Sequence, residues 1–195
     1  MENFLGVVKM CECEIVKYCS CTFAGIKCAN LFTCEYKTMS EVFQDIVELN
    51  KRFKYCDIHF KIMKFYKNRV LIYVYRKNIL ATLLNCNEVH NFLKTFGYSK
   101  DVDDCLLKLE NRITSLDSFP HEIGIFLDYP LADVKGFIKN SGKAYLVKGP
   151  WKVYSNEKRC IKRFDSFKKC KKIYMERFQA GYSLDKLAIV RRSKA

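Results

Sequence analysis

Three prolines and eight glycines are all that the 195 residues contain. That scarcity, beside 14% aromatic residues, excludes a collagen-like or low-complexity disordered chain. Long apolar runs are missing too: the longest uncharged stretch, residues 78–87, has ten residues, whereas a membrane-spanning helix needs roughly 18. Residues 1–17 show neither a basic start nor an extended apolar core. No secretory signal is therefore expected, and the expected location is the cytoplasm. No phosphate-binding loop, zinc-finger spacing or RNA-recognition signature occurs.

At this length a folded domain hides roughly 70% of the surface its unfolded chain would expose, so a core can form without disulfides or metal. We expect the α+β class: a single compact domain over 1–195, with a small, mostly antiparallel sheet covered by helices and a helical C-terminal part. Within it the sequence suggests a Cys-rich N-terminal segment (1–39), an α/β core (40–155) and a basic helical part (156–195). The charge is uneven. Residues 1–140 carry 19 basic and 17 acidic side chains and residues 141–195 carry 16 and 4, so +12 of the net +14 lies in the last quarter.

Six of the eleven cysteines fall within the first 34 residues. In a chain expected to stay in a reducing compartment they are expected to be free thiols. The 11–34 segment mixes β-tending pieces with a break at Gly25 and yields no clear element. Ser40 reads as the cap of a helix carrying Val42, Phe43, Ile46, Val47, Leu49 and Phe53 at helical spacing. Ile58, Phe60 and Ile62 alternate, as do Val70, Ile72 and Val74, which predicts a hairpin turning at Lys67-Asn68 with Asn68 left-handed. Helices are predicted at 88–96 and 102–113 with a stop at Gly97. Two short helices follow, framed by Pro120 and Pro130 in their first turns and meeting at Asp128-Tyr129. The second passes through Leu131, Val134 and Ile138 and stops at 140–142. Short strands at 144–147 and 151–154 lead into a long helix over 156–178.

The run FPHEIGIFLDYPLADVKGFI, followed by GPWKVYSNEKRCIKRFDSFKKC, resembles domain-of-unknown-function family 3793 of anaerobic Gram-positive bacteria. The likeness extends to CTFAGIKCANLF and RVLIYVYRK. It implies relatives rather than an activity, in a setting beside iron-uptake and flavodoxin functions. Three positions depart from the pattern: Asp128 stands where glycine is expected, Pro150 where tyrosine is, and Cys21 where a proline is.

His121 and Glu122 are the catalytic candidates. A histidine in the first turn of a helix meets the positive end of the backbone dipole, which keeps a neutral nitrogen available as base or ligand. The structural alternative is that Glu122 takes up free N–H groups while His121 caps or packs locally. Glycines inside predicted helices, Gly124 and Gly136, cost about 1 kcal/mol each relative to alanine and so imply close packing or a ligand against bare backbone. Gly124, Tyr129, Tyr145, Trp151 and Tyr154 are the cofactor-binding candidates, with core packing as the alternative for the aromatics.

Cys11, Cys13, Cys19 and Cys21 are candidate metal ligands, although neither pair has the two-residue spacing of a zinc knuckle. Cys21 with His59 or His90 is a nucleophile pair on composition alone. On the long helix, Cys160, Phe164, Phe167, Cys170, Tyr174 and Phe178 form an apolar stripe, and Lys158, Lys162, Lys168, Lys169 and Lys172 form the opposite face, a candidate anion surface or a solvated one. The leading expectation is a small-ligand or cofactor pocket near PHEIG, linked to iron or redox metabolism. A polyanion- or nucleic-acid-binding module and a thiol-rich metal-binding protein are the alternatives.

Overall fold

The computed structural model describes residues 12–116 and 118–190. Its centre is β3 (Arg69–Arg76), flanked by β1 (Ala29–Glu35) and β2 (Ile58–Phe65) in the order β1-β3-β2, all antiparallel. Every β3 residue after Arg69 is buried, because both faces of the sheet are covered by helices. Phe32, Ile58, Phe60, Val70, Ile72 and Val74 point to one face, where α1 (Glu12–Phe23), α2 (Met39–Phe53), α8 (Glu157–Gln179) and α9 (Leu184–Leu187) pack. Leu71, Tyr73 and Tyr75 point to the other, against α3 (Lys77–Leu84), α4 (Asn87–Lys94), α5 (Val102–Ser115), α6 (Ile123–Phe126) and α7 (Leu131–Lys139). Strand alternation alone produces this division. The result is the α+β fold expected, in one compact domain, with the cysteine-rich helix α1 built into the core against α8.

Several local expectations change. From residue 12 on, this segment is α1 followed by β1; the buried face of α1 includes Ile15, Val16, Cys19, Cys21 and Phe23. The cap of α2 is Thr38 rather than Ser40, its side-chain oxygen accepting from Glu41 N. The β2–β3 turn closes through Tyr66 N donating to Arg69 O at 2.7 Å, and Asn68 is not among the residues with positive φ. Helix α3 fills a stretch for which no element was predicted. Pro130 is the N-cap of α7 rather than part of its first turn. The β4 (Val147–Lys148) and β5 (Lys152–Val153) strands form the short hairpin that leads into α8, whose N-cap is Asn156.

Asp128 has φ +63°, in the left-handed region where glycine is most at ease. Its carboxylate accepts from Cys28 N at 3.1 Å and from Arg163 Nη2 at 2.5 Å. An aspartate at a position where the family resemblance expects glycine thus gains two partners for its backbone strain. No helix among the described residues is long and apolar enough to cross a membrane.

Candidate functional site

Between α6, α7 and the β4–β5 hairpin lies a cleft of about 360 Å³. Phe119, Pro120, Tyr129, Phe137, Pro150 and Trp151 supply its apolar walls, and His121, Lys148 and Lys152 belong to its lining, the Lys152 ammonium donating to Gly142 O at 2.7 Å. Trp151 is the best-fixed of these. Its ring stacks on Tyr129 with centroids 4.8 Å apart, takes the edge of Phe164 at 4.5 Å and lies beneath the Arg163 guanidinium at 5.6 Å. Its Nε1 donates to Asp133 at 2.7 Å.

Asp133, 1% exposed, binds the hairpin to α7. Besides the indole it accepts from Tyr154 N, Ser155 N and Ser155 Oγ at 2.8 to 2.9 Å. A carboxylate so fully engaged belongs to the wall's framework and offers a ligand little. Arg163 braces the other side, donating to the carbonyl and carboxylate of Asp128.

His121 is exposed at the cleft, its ring edge-on to Phe137 at 5.1 Å. The helix it was expected to begin, α6, is only four residues long and starts at Ile123, so the dipole argument for a neutral imidazole loses its basis. Glu122 points elsewhere. It is 1% exposed and accepts from Arg112 Nε at 2.5 Å and Tyr98 Oη at 2.9 Å, on the far side of α6. That pairing, which burial makes obligatory, also pushes the Tyr98 phenol upward, after desolvation as the larger cause. Glu122→Gln is expected to cost about 1–3 kcal/mol, the range for a charged hydrogen bond, while leaving ligand affinity unchanged. Urea unfolding beside a binding titration checks both halves.

Gly124 and Tyr129 line the cleft with Trp151, whereas Tyr145 and Tyr154 do not. The helical glycines are explained by packing. A Cβ on Gly124 would stand 2.8 Å from Val134 Cγ2, and one on Gly136 would stand 2.5 Å from both Cβ and Cγ of Tyr154. Since the obstructing Tyr154 atoms are close to the backbone, Gly136→Ala should lower stability by about 1–3 kcal/mol despite alanine's better helix propensity. Thermal unfolding would show it as a lower midpoint.

The cysteine candidates separate. Cys11 lies outside the described residues, Cys13 is exposed on α1, and Cys19 and Cys21 are buried. Among the described residues no three His, Cys, Asp or Glu side chains come together as a metal site. Cys21 meets neither histidine proposed for it. His59 stacks on Tyr75, on the opposite face of the sheet, and His90 lies on α4 in that same layer. Its actual neighbour is Cys170 of α8. On α8 the apolar stripe is inward as predicted, and Lys158, Lys162, Lys168, Lys169 and Lys172 are exposed, with Lys172 3.8 Å from Glu176.

Asp133, Arg163 and Lys148 were missed by sequence reasoning. Asp133 stands in the first turn of α7, where an acidic side chain is ordinary, and gave no signal.

The chain matches the family model described as "Protein of unknown function (DUF3793)" over residues 15–188 and belongs to that family. No curated protein and no solved structure matches it.

Proposed function

With that family membership as the premise, we propose that this protein binds a small, flat, largely apolar ligand bearing an anionic group, in the cleft against Trp151. The observation that carries the reading is the indole itself. It is held from four sides by Asp133, Tyr129, Phe164 and Arg163, yet it still contributes to the wall of an open cleft. Fixing a large aromatic in this way gives the cleft a rigid wall whose ordering cost is met on folding, and with Trp151 7% exposed a ligand meets only a small part of the ring. The charges at the cleft favour an anion, because Lys148 and His121 line it, the Lys152 ammonium beside them donating to Gly142 O at 2.7 Å, while Asp133 is consumed by the hairpin.

Planar ring and acidic group together describe a flavin-type mononucleotide, which agrees with the redox setting implied by the family resemblance. The iron half of that expectation adds no residue to the site. No disulfide joins the ten described cysteines.

Isothermal titration with flavin mononucleotide and with 1-anilinonaphthalene-8-sulfonate tests the proposal. Saturable binding to at least one is expected, weakened by Lys148→Ala and His121→Ala with unchanged unfolding midpoints. Binding that is absent for both probes, or indifferent to both variants, overturns it.

The exposed lysines of α8 support a second reading, a polyanion surface. Six or more phosphate contacts would make duplex binding fall by about 10³ between 50 and 200 mM salt. Weak, sequence-independent binding that vanishes over this range is the expected result in a gel-shift titration. Tight binding to one sequence at physiological salt would replace the small-ligand reading.

A further inference from the structure

We infer that Lys27 is a nucleophilic amine site, which takes up a small apolar aldehyde as an imine. Lys27 stands in the loop between α1 and β1 and is 7% exposed. Its Nζ lies over the rings of Tyr129 and Phe167, 5.6 and 6.0 Å from their centroids. Among the described residues it has no hydrogen-bond acceptor and no carboxylate within ion-pair distance. The carboxylate of Asp128, whose charge reaches it, is already engaged by Cys28 N and Arg163 Nη2. Lysine is almost never buried without a partner, and neither the ligand cleft nor the core uses this one.

Two features separate Lys27 from an amine that is merely trapped. The first is access. Among the described residues, the unpaired side-chain nitrogens and oxygens closed off from solvent are His90 Nδ1 and Tyr154 Oη. Lys27 Nζ is not one of them, so the stem is covered while the tip keeps a narrow opening. The second is protonation. Both rings stand near the outer limit of about 6 Å for cation–π attraction, so they return little of the hydration that an ammonium loses here. Arg163 sets a second cation over Phe167, at 5.3 Å. Desolvation accordingly holds the amine below its ordinary value, against the weaker pull of Cys28, Cys21 and Asp128.

A neutral amine carries the lone pair that attacks a carbonyl carbon. As that bond forms, the C=O π electrons move to oxygen, oxygen gains a proton and nitrogen loses one, giving a carbinolamine. The C–O bond then breaks, the hydroxyl leaves with a proton as water, and the C=N bond forms. One amine and one aldehyde become one imine and one water, with no change of oxidation state. The product suits the place, because burial penalises a charge and a neutral imine has none. The aromatic walls favour an apolar carbonyl compound and the narrow opening a small one. Tyr129 also lines the ligand cleft but Lys27 does not, so the inference stands apart from the ligand proposed there.

The test is reductive trapping at neutral pH. The unaltered chain is incubated with limiting propanal and cyanoborohydride, whose hydride converts an imine into a stable secondary amine, and the propylated lysines are mapped by mass spectrometry over time. Lys27 is expected to be labelled about tenfold or more faster than the exposed Lys158, Lys162 and Lys168, which stay hydrated and charged. The advantage should disappear in guanidinium chloride, where every lysine is hydrated alike. Labelling of Lys27 no faster than that of the three surface lysines, or a preference that survives unfolding, overturns the assignment; neither arm needs a variant to fold.

Discussion

Replacing Arg76 with methionine is expected to lower unfolding free energy by about 3–5 kcal/mol, a loss typical of dismantling a buried charged network. Arg76 is 0% exposed at the end of β3. Its Nε donates to Thr22 O at 2.6 Å, Nη1 to Cys56 O at 2.8 Å, and Nη2 to both Phe23 O at 2.6 Å and Ile189 O at 2.8 Å. Thr22 and Phe23 end α1, where the last carbonyls have no intrahelical donor and the backbone dipole favours a cation. One guanidinium therefore joins the end of α1, the turn before β2 and the chain beyond α9. Methionine fills similar volume but removes all four contacts, two of them buried, and leaves Thr22 O and Phe23 O only the backbone donors Gly25 N and Ile189 N. Lysine, with one compact ammonium, should recover only part of the loss. Since a domain's whole stability is about 5–15 kcal/mol, urea unfolding should show a large drop in the midpoint. A change below about 1 kcal/mol, smaller than one charged hydrogen bond, would contradict this account.

Asp133→Ala should be nearly as severe, at about 2–4 kcal/mol, and should also abolish ligand binding. The carboxylate accepts from an indole, two backbone amides and a hydroxyl. Alanine leaves those donors facing a void and frees the hairpin that carries Trp151 from α7. Asparagine keeps one acceptor oxygen but turns an NH2 group toward other donors, so an intermediate loss is expected. The checks are urea unfolding and the emission maximum of Trp151, which should move to longer wavelength as the ring becomes hydrated. Unchanged emission with stability within about 0.5 kcal/mol, the range of an inconsequential surface change, would show that Asp133 does not hold the wall.

The elements with strong periodicity were legible. The hairpin's alternating Ile58, Phe60 and Val70, Ile72, Val74 gave β2 and β3, and the apolar stripe from Cys160 to Phe178 gave α8. Helix α1 was obscured because Ile15, Val16 and Thr22 favour strands and its buried face mixes apolar residues with cysteine, serine and threonine, while packing against α8 and β1 overrides local preference. Helix α3 went unread because it has no side-chain cap and little polar relief. In the site, the PHEIG segment and Trp151 were visible as candidates, but their sorting was not. Adjacent residues on a tight turn face opposite ways, so His121 reaches the cleft and Glu122 the core. Asp133 was unreadable for another reason: its partners come from a hairpin 18 to 22 residues later, and a carboxylate in a helix's first turn looks solvated in sequence.

The chain has a single tryptophan, Trp151, so all its tryptophan emission comes from the cleft wall. Titrating the unaltered protein with flavin mononucleotide and, separately, with 1-anilinonaphthalene-8-sulfonate while following that emission tests the central claim most directly. The account predicts saturable quenching by at least one of the two, after correction for each probe's own absorbance. Emission that falls only in proportion to absorbance, without saturation, for both probes would contradict it.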